Sequence, residues 1–273
     1  MSEQKVKFCC PRWGQEGLSL RALFDRIKEA GYDGIEADLT AEEADEFVGL
    51  VREYELIFIA IYADIVPGKL ADGTLERYRE RISFFASLEP DLINSQTGKD
   101  SFTFEENSTL IEVAAEISEA SGVPIYHELH RGKFSFCPQT TMPMLDRFPK
   151  LQMTADISHW VTVSESFLGE YPEELERLIS RAAHTHARVG FTEGPQIPDP
   201  RAPEWAFAVE HHLNWWDQII AKQRAAGQEL ITISPEFGPY PYIPMIPFTQ
   251  RPVADQWEIN LHMKNLLNER YNG

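Results

Sequence analysis

Short apolar or β-branched runs alternate along this chain with longer stretches whose apolar residues recur every three or four positions. The first run covers residues 6–10. Leu18, Leu20, Leu23, Phe24 and Ile27 then fall at helical spacing over residues 18–30, and Gly31 stops that helix. Residues 34–37 read as a second strand closed by Asp38, and Thr40 with Glu43 three positions on has the form of a capping box opening the next helix. Residues 56–62 are almost wholly apolar, as a strand buried on both faces should be. The alternation continues with a helix over about 70–88, a strand at 91–96, a helix over about 104–120 ending at Ser121-Gly122, and a strand at 123–129. A short helix at 140–148, a strand at 151–155, a helix at 173–182, strands at 184–189 and 229–234, and a final helix over about 253–271 complete it. Eight strand–helix alternations with no linker or repeat predict one domain over residues 1–273, an α/β chain folded as a closed (β/α)₈ barrel. An open doubly wound sheet is the weaker alternative. No G-x-G-x-x-G or G-x-x-x-x-G-K follows any strand, so a dinucleotide or P-loop site has no support.

Two connections exceed simple turns: residues 190–207 after the seventh strand and 235–252 after the eighth. The second holds six of the 18 prolines together with Phe237, Tyr240, Tyr242 and Phe248. Proline keeps such segments extended and lowers the entropy lost on ordering them. Both loops are expected to form ordered walls of a pocket on the barrel face that carries the strands' C-terminal ends.

Composition narrows the partners. A formal charge of −18, from 25 basic and 43 acidic residues, repels phosphate backbones and anionic membranes. Nucleic acid and membrane are therefore not expected as partners; a small molecule is, and a homo-oligomer is allowed. Cys9, Cys10 and Cys137 form no C-x-x-C pair, and adjacent Cys9 and Cys10, alternating faces in a strand, read as buried thiols rather than a disulfide. The start runs into a strand without an apolar signal core, and no apolar run reaches about 18 residues, which implies a soluble, cytoplasmic protein.

The chemistry gathers at four strand ends. Ile125-Tyr-His-Glu-Leu-His-Arg131, Met153-Thr-Ala-Asp-Ile-Ser-His159, His184-Thr-His-Ala-Arg188 and Thr232-Ile-Ser-Pro-Glu-Phe237 each begin apolar or β-branched and end ionisable. The spacings suit successive strand–helix units of roughly 30 residues, the last one lengthened by a loop. A barrel would bring Glu128, Asp156, His186 and Glu236 to one face. Three carboxylates so placed repel one another and raise each other's pKa values unless a cation joins them. Hard oxygens with one imidazole suit a single Mn²⁺ or Mg²⁺, with Co²⁺ or Zn²⁺ tolerated. Period-two spacing lets His130 and Arg188 face the same cavity as Glu128 and His186. His159 lies three beyond Asp156, and His184 alternates in phase with His186, deeper in the barrel. His127 should face the helix layer, His211 and His212 open a surface-like helix, and His262 is a surface residue. Trp13, Trp160, Tyr240 and Tyr242 lie within reach as faces for a sugar ring or aglycone.

The glutamate of strand five, Asp156-Ile-Ser-His159, His184-Thr-His186 and Glu236 together resemble the xylose-isomerase-like TIM-barrel sugar isomerase/epimerase superfamily, as does Gly31-Tyr-Asp-Gly-Ile-Glu36 at its second strand. The resemblance spans essentially the whole chain. It implies Glu128, Asp156, His186 and Glu236 as metal ligands, Glu128 and Glu236 as an acid/base pair, and His159 as a substrate contact, beside which His130, Arg188, Trp13 and Trp160 are candidate substrate-binding residues. Two departures from the ketose 3-epimerases stand out: no second glutamate follows Glu128 within Leu-His-Arg-Gly-Lys133, and their arginine has no counterpart at its usual distance from His186.

Such a site would act on a keto-sugar or related polyol. A metal polarises the carbonyl and stabilises an enediolate while a carboxylate takes the adjacent proton. Return of the proton gives epimerisation or isomerisation; a leaving group beta to the carbanion gives a dehydratase or keto-glycoside lyase. An endonuclease IV-like repair enzyme needs histidines on early strands, and none precedes His127. A metal-free binding subunit would be expected to have lost ligands, and all four are present.

Overall fold

The computed structural model describes residues 4–64, 69–70 and 73–273. Its centre is a closed barrel of eight parallel strands in sequence order, with β1 pairing β8. The strands are β1 (Val6–Pro11), β2 (Gly34–Ala37), β3 (Ile57–Tyr62), β4 (Leu92–Ser95), β5 (Ile125–Glu128), β6 (Met153–Ala155), β7 (Ala182–His186) and β8 (Ile231–Ser234). Around them run α1 (Leu20–Glu29), α2 (Ala41–Tyr54), α3 (Thr74–Ser87), α4 (Phe104–Ser121), α5 (Pro138–Arg147), α6 (Ile157–Val163), α7 (Pro172–Arg181), α8 (Ala206–Ala225) and α9 (Gln256–Asn272). Ala71 and Asp72, within the expected third helix, lie outside the described residues.

The local signals act as the physics requires. Thr40 donates its backbone N–H to Glu43 Oε1 at 3.0 Å, the return half of the expected capping box. Thr103 and Glu106 make the same reciprocal pair at the start of α4, and Gly122, at φ 77°, ends that helix. Strand β2 lies so close to both its neighbours at Gly34 that a Cβ there would meet Ile57 O of β3 at 2.6 Å and Cys9 Sγ of β1 at 2.8 Å. The three cysteines are free thiols. Among the described residues no helix is long and apolar enough to cross a membrane.

Two expectations change here. A short helix, α6, follows β6 at once and carries His159 and Trp160; its β-branched content hid it. The long loop after β7 does not wall the cavity. It braces the loop after β8: the Gln196 side chain accepts from Gly238 N at 2.7 Å and donates to Gly238 O at 3.2 Å. From the other side, Asn260 of α9 brackets Phe237, accepting from its N–H at 2.8 Å and donating to its carbonyl at 3.0 Å. The loop after β8 also carries β9 (Met245–Ile246) and β10 (Arg251–Pro252), paired antiparallel.

Candidate active site

Glu128 and His186 are the last residues of β5 and β7, Asp156 follows β6 directly, and Glu236 lies two beyond β8. Each offers one donor atom, and these four atoms lie within 4.8 Å of one another, all on buried residues. His186 Nδ1 is 2.8 Å from Glu236 Oε2 and 3.8 Å from Glu128 Oε1. Despite its length the first contact lacks hydrogen-bond geometry, and both atoms are buried without a hydrogen-bond partner. The other ring nitrogen, Nε2, is engaged at 2.9 and 3.1 Å by the carboxylate of Glu36.

Electrostatics follow from this crowding. Burial pushes the Glu128 carboxyl up to about 8, with His186 opposing and the neighbouring Glu236 and Asp156 adding to the rise. Burial raises Asp156 too, against the pull of Arg188. For His186, burial disfavours the charged ring, yet Glu236, Glu36 and Glu128 outweigh it and hold the pKa well above the usual value. Asn94 Nδ2 and Gln96 Nε2 donate to the two oxygens of Glu128 at 3.0 and 3.2 Å and set its plane.

Arg188 is buried and donates to Asp156 Oδ2 and, at 2.9 Å, to His159 Nε2; it lies 3.5 Å from Glu236 Oε2. Its guanidinium sits 4.8 Å over the Tyr242 ring. His159 stacks on His130 with centroids 4.0 Å apart, and burial lowers both pKa values well below normal. The His130 Nδ1–H donates to Arg131 O, which leaves Nε2 as an acceptor. A cavity of about 530 Å³ opens above, lined by Trp13, Gln96, His130, Arg188, Glu236 and Tyr242 on the side of the cluster and by Arg12, Asp38, Glu43 and Arg81 towards β1–β3. Trp13 meets Tyr242 edge-on at 5.0 Å and lies over Gly238, where a Cβ would stand 2.1 Å from the indole.

Of the residues expected at the site, Trp160 is misplaced. It is wholly buried in the core, its indole N–H donating to Ser135 O at 2.9 Å, because α6 turns it away from the cavity. Tyr240 is exposed, outside the cavity lining. His212 is not a surface residue: it is buried, donates from Nδ1 to Ala208 O, and accepts the Gly190 N–H at 3.2 Å. His127 does face the helix side, beside Thr97 Oγ1 and Phe134. His184 lies on the barrel floor, Nδ1 against Thr232 Oγ1 at 2.7 Å. Glu36, Asn94 and Gln96 were not singled out from the sequence. Their signal was present: Asn94 and Gln96 share one phase of the fourth strand, and Glu36 is the only charge in Gly34–Ala37.

The donor set fits one divalent cation. Two buried atoms 2.8 Å apart that find no hydrogen-bond partner, with two further carboxylates within the same 4.8 Å, form a set that would hold one. Asp156 also receives Ser158 and Arg188, and carboxylate oxygens retain further lone pairs.

The family model for xylose isomerase-like TIM barrels matches residues 24–231. The chain belongs to that family. No curated protein matches it by sequence. Among solved structures it is similar to a 3-keto-D-glucoside 4-epimerase from E. coli, with TM-score 0.64, 14% identity, and 97% of this chain and 100% of that one covered. A probable 3-DHS dehydratase from Bacillus anthracis gives TM-score 0.62 and 16% identity over 97% and 99% of the two chains. A xylose isomerase-like TIM barrel protein from Mycobacterium smegmatis in complex with magnesium gives 0.60 and 9% over 97% and 96%. At these identities the likeness concerns the fold.

Proposed function

We propose that this member of the family is a divalent-metal-dependent isomerase or epimerase acting on a neutral keto-sugar or related polyol. The observation that carries the reading is the convergence of Glu128, Asp156, His186 and Glu236 with His186 Nδ1 and Glu236 Oε2 left unpartnered. These four residues would hold the cation, Mn²⁺ by preference of the donor set, which would supply a Lewis acid at the substrate carbonyl. Glu128 and Glu236 arise from β5 and β8, three strands apart round the barrel, so they reach a bound substrate from different sides as acid and base. Asn94 and Gln96 hold Glu128 in one orientation. Arg188 and the acceptor nitrogen of His130 orient hydroxyl groups, and Trp13 and Tyr242 supply apolar faces.

A neutral substrate follows from the charges. The cavity's arginines are already paired: Arg12 with Glu43 at 2.7 Å, Arg81 with Asp38, and Arg188 with Asp156. The loop after β8 is rich in prolines, which have no N–H to offer a phosphate. Elimination by a dehydratase or keto-glycoside lyase is the second reading, favoured by the lack of a second glutamate after Glu128 within Leu129–Lys133, where His130 instead lines the cavity.

The test is solvent exchange. With Mg²⁺ and a panel of keto-sugars and 3-keto-glycosides in D₂O, the wild type should exchange the proton alpha to the carbonyl. Glu236→Gln should slow exchange by about 10²–10⁴-fold, with metal content measured in the same sample. Unchanged exchange in the variant would remove Glu236 from the reaction.

A further inference from the structure

Beneath the four donors lies a carboxylate whose job is unassigned. Glu36 is 3% exposed, inside the barrel beside the Asn94 amide, the Ser234 hydroxyl and the rings of His184 and His186. Its Oε1 accepts from Asn94 Nδ2 at 3.0 Å and lies 2.9 Å from His186 Nε2. Its Oε2 accepts from Ser234 Oγ at 2.5 Å and lies 3.1 Å from the same nitrogen. His184 Nε2 stands a further 3.5 Å away. Glu36, His184 and His186 lie close enough together to surround a cation themselves, but both oxygens of Glu36 already receive donors, whereas the unpartnered ring nitrogen of His186, Nδ1, faces the four-residue cluster.

We propose that Glu36 is a positioning residue for the metal centre: it holds the His186 ring with the proton on Nε2, so that Nδ1 presents a bare lone pair to the cation. The proposal rests on the metal-centre reading above. An imidazole has two nitrogens, and the partner of one decides which is free to ligate. Here the nitrogen facing Glu36 is bonded, while the one facing Glu236 and Glu128 is the unpartnered one. The carboxylate is itself held from two strands, β8 and β4, each two places from β2 round the barrel. Ser234 pairs with His186 in the β7–β8 register, and Asn94 of β4 bridges Glu36 to the ligand Glu128. One amide therefore ties the orientation of a ligating carboxylate to the residue that orients the ligating histidine.

Glu36→Gln preserves shape but can present either an oxygen or an NH₂ to Nε2, so the tautomer is no longer dictated. Calorimetric titration with Mn²⁺ should show one site in the wild type and a 10- to 100-fold weaker one in Glu36→Gln. In the Co²⁺-loaded protein, the paramagnetically shifted, exchangeable imidazole N–H proton of His186 should be sharp in the wild type and exchange-broadened or lost in the variant. Ser234→Ala, which removes one donor to Glu36 and no side-chain hydrogen bond to a ligand, should shift affinity in the same direction by several-fold, and it serves if Glu36→Gln does not fold. A filler role would instead lower the unfolding temperature of the metal-free protein with affinity and N–H signal unchanged, and that result overturns the proposal. Absence of any Mn²⁺ site in the wild type would overturn the metal-centre reading itself, a failure visible before any variant is made.

Discussion

His186 Nδ1 and Glu236 Oε2 stand 2.8 Å apart, buried, with no hydrogen-bond geometry between them. In the metal-free protein the three carboxylates around the ring favour its charged form, and burial keeps Glu128 protonated up to about 8. A cation must displace these protons, because ligands bind deprotonated. Binding at pH 7 should therefore release protons, and affinity should rise as pH rises towards 8. Calorimetry in buffers of different ionisation enthalpy measures the release directly; a buffer-independent heat would contradict the assigned ligand set.

The cavity's charge pattern gives a second prediction. For matched phosphorylated and unphosphorylated substrates, kcat/KM should not favour the phosphate, since Arg12, Arg81 and Arg188 are each committed to a carboxylate. A phosphate preference above about 100-fold, some 2.7 kcal/mol of transition-state binding, would show that these pairs open to receive an anion.

Most of the frame could be read from residue order because its cues are local. The capping pair Thr40–Glu43, the stop at Gly122 and the apolar run of β3 each depend on neighbours within a few positions. The four donors were legible for the same reason: each sits where an apolar run turns ionisable. What was hidden depends on contacts across the barrel. Glu36 lies within a short, otherwise apolar strand, and only the β2–β3 register and the reach of His186 and Ser234 reveal it as an interior charge. Trp160 seemed to face a substrate because α6 was not foreseen; as a helix residue it turns into the core. The loop at 190–207 has the composition of a pocket wall, yet Gln196 binds the backbone of the next loop instead.

His212 carries a prediction about stability. Burial lowers its pKa from 6.5 to about 4, and the ring ties Gly190 to α8 as a neutral bridge. Between those values the unfolded chain binds a proton that the folded chain refuses. Its contribution is complete above pH about 6.5 and is lost as pH falls towards 4, with a slope of up to about 1.4 kcal/mol per pH unit. His127, likewise lowered to about 4 by burial, adds to the slope. His212→Gln should cost about 1–3 kcal/mol at neutral pH and flatten that acid limb in denaturant titrations. An unchanged limb would mean His212 is not held neutral.

The central claim is that four side chains from β5 to the end of β8 hold one cation, and locating that cation tests it most directly. Crystals grown with Mn²⁺ should show a single strong anomalous peak about 2.0–2.3 Å from Glu128, Asp156, His186 Nδ1 and Glu236, and His186→Ala should abolish the peak at the same Mn²⁺ concentration. A peak elsewhere, no peak at saturating Mn²⁺, or a peak that survives the loss of His186 would contradict the account.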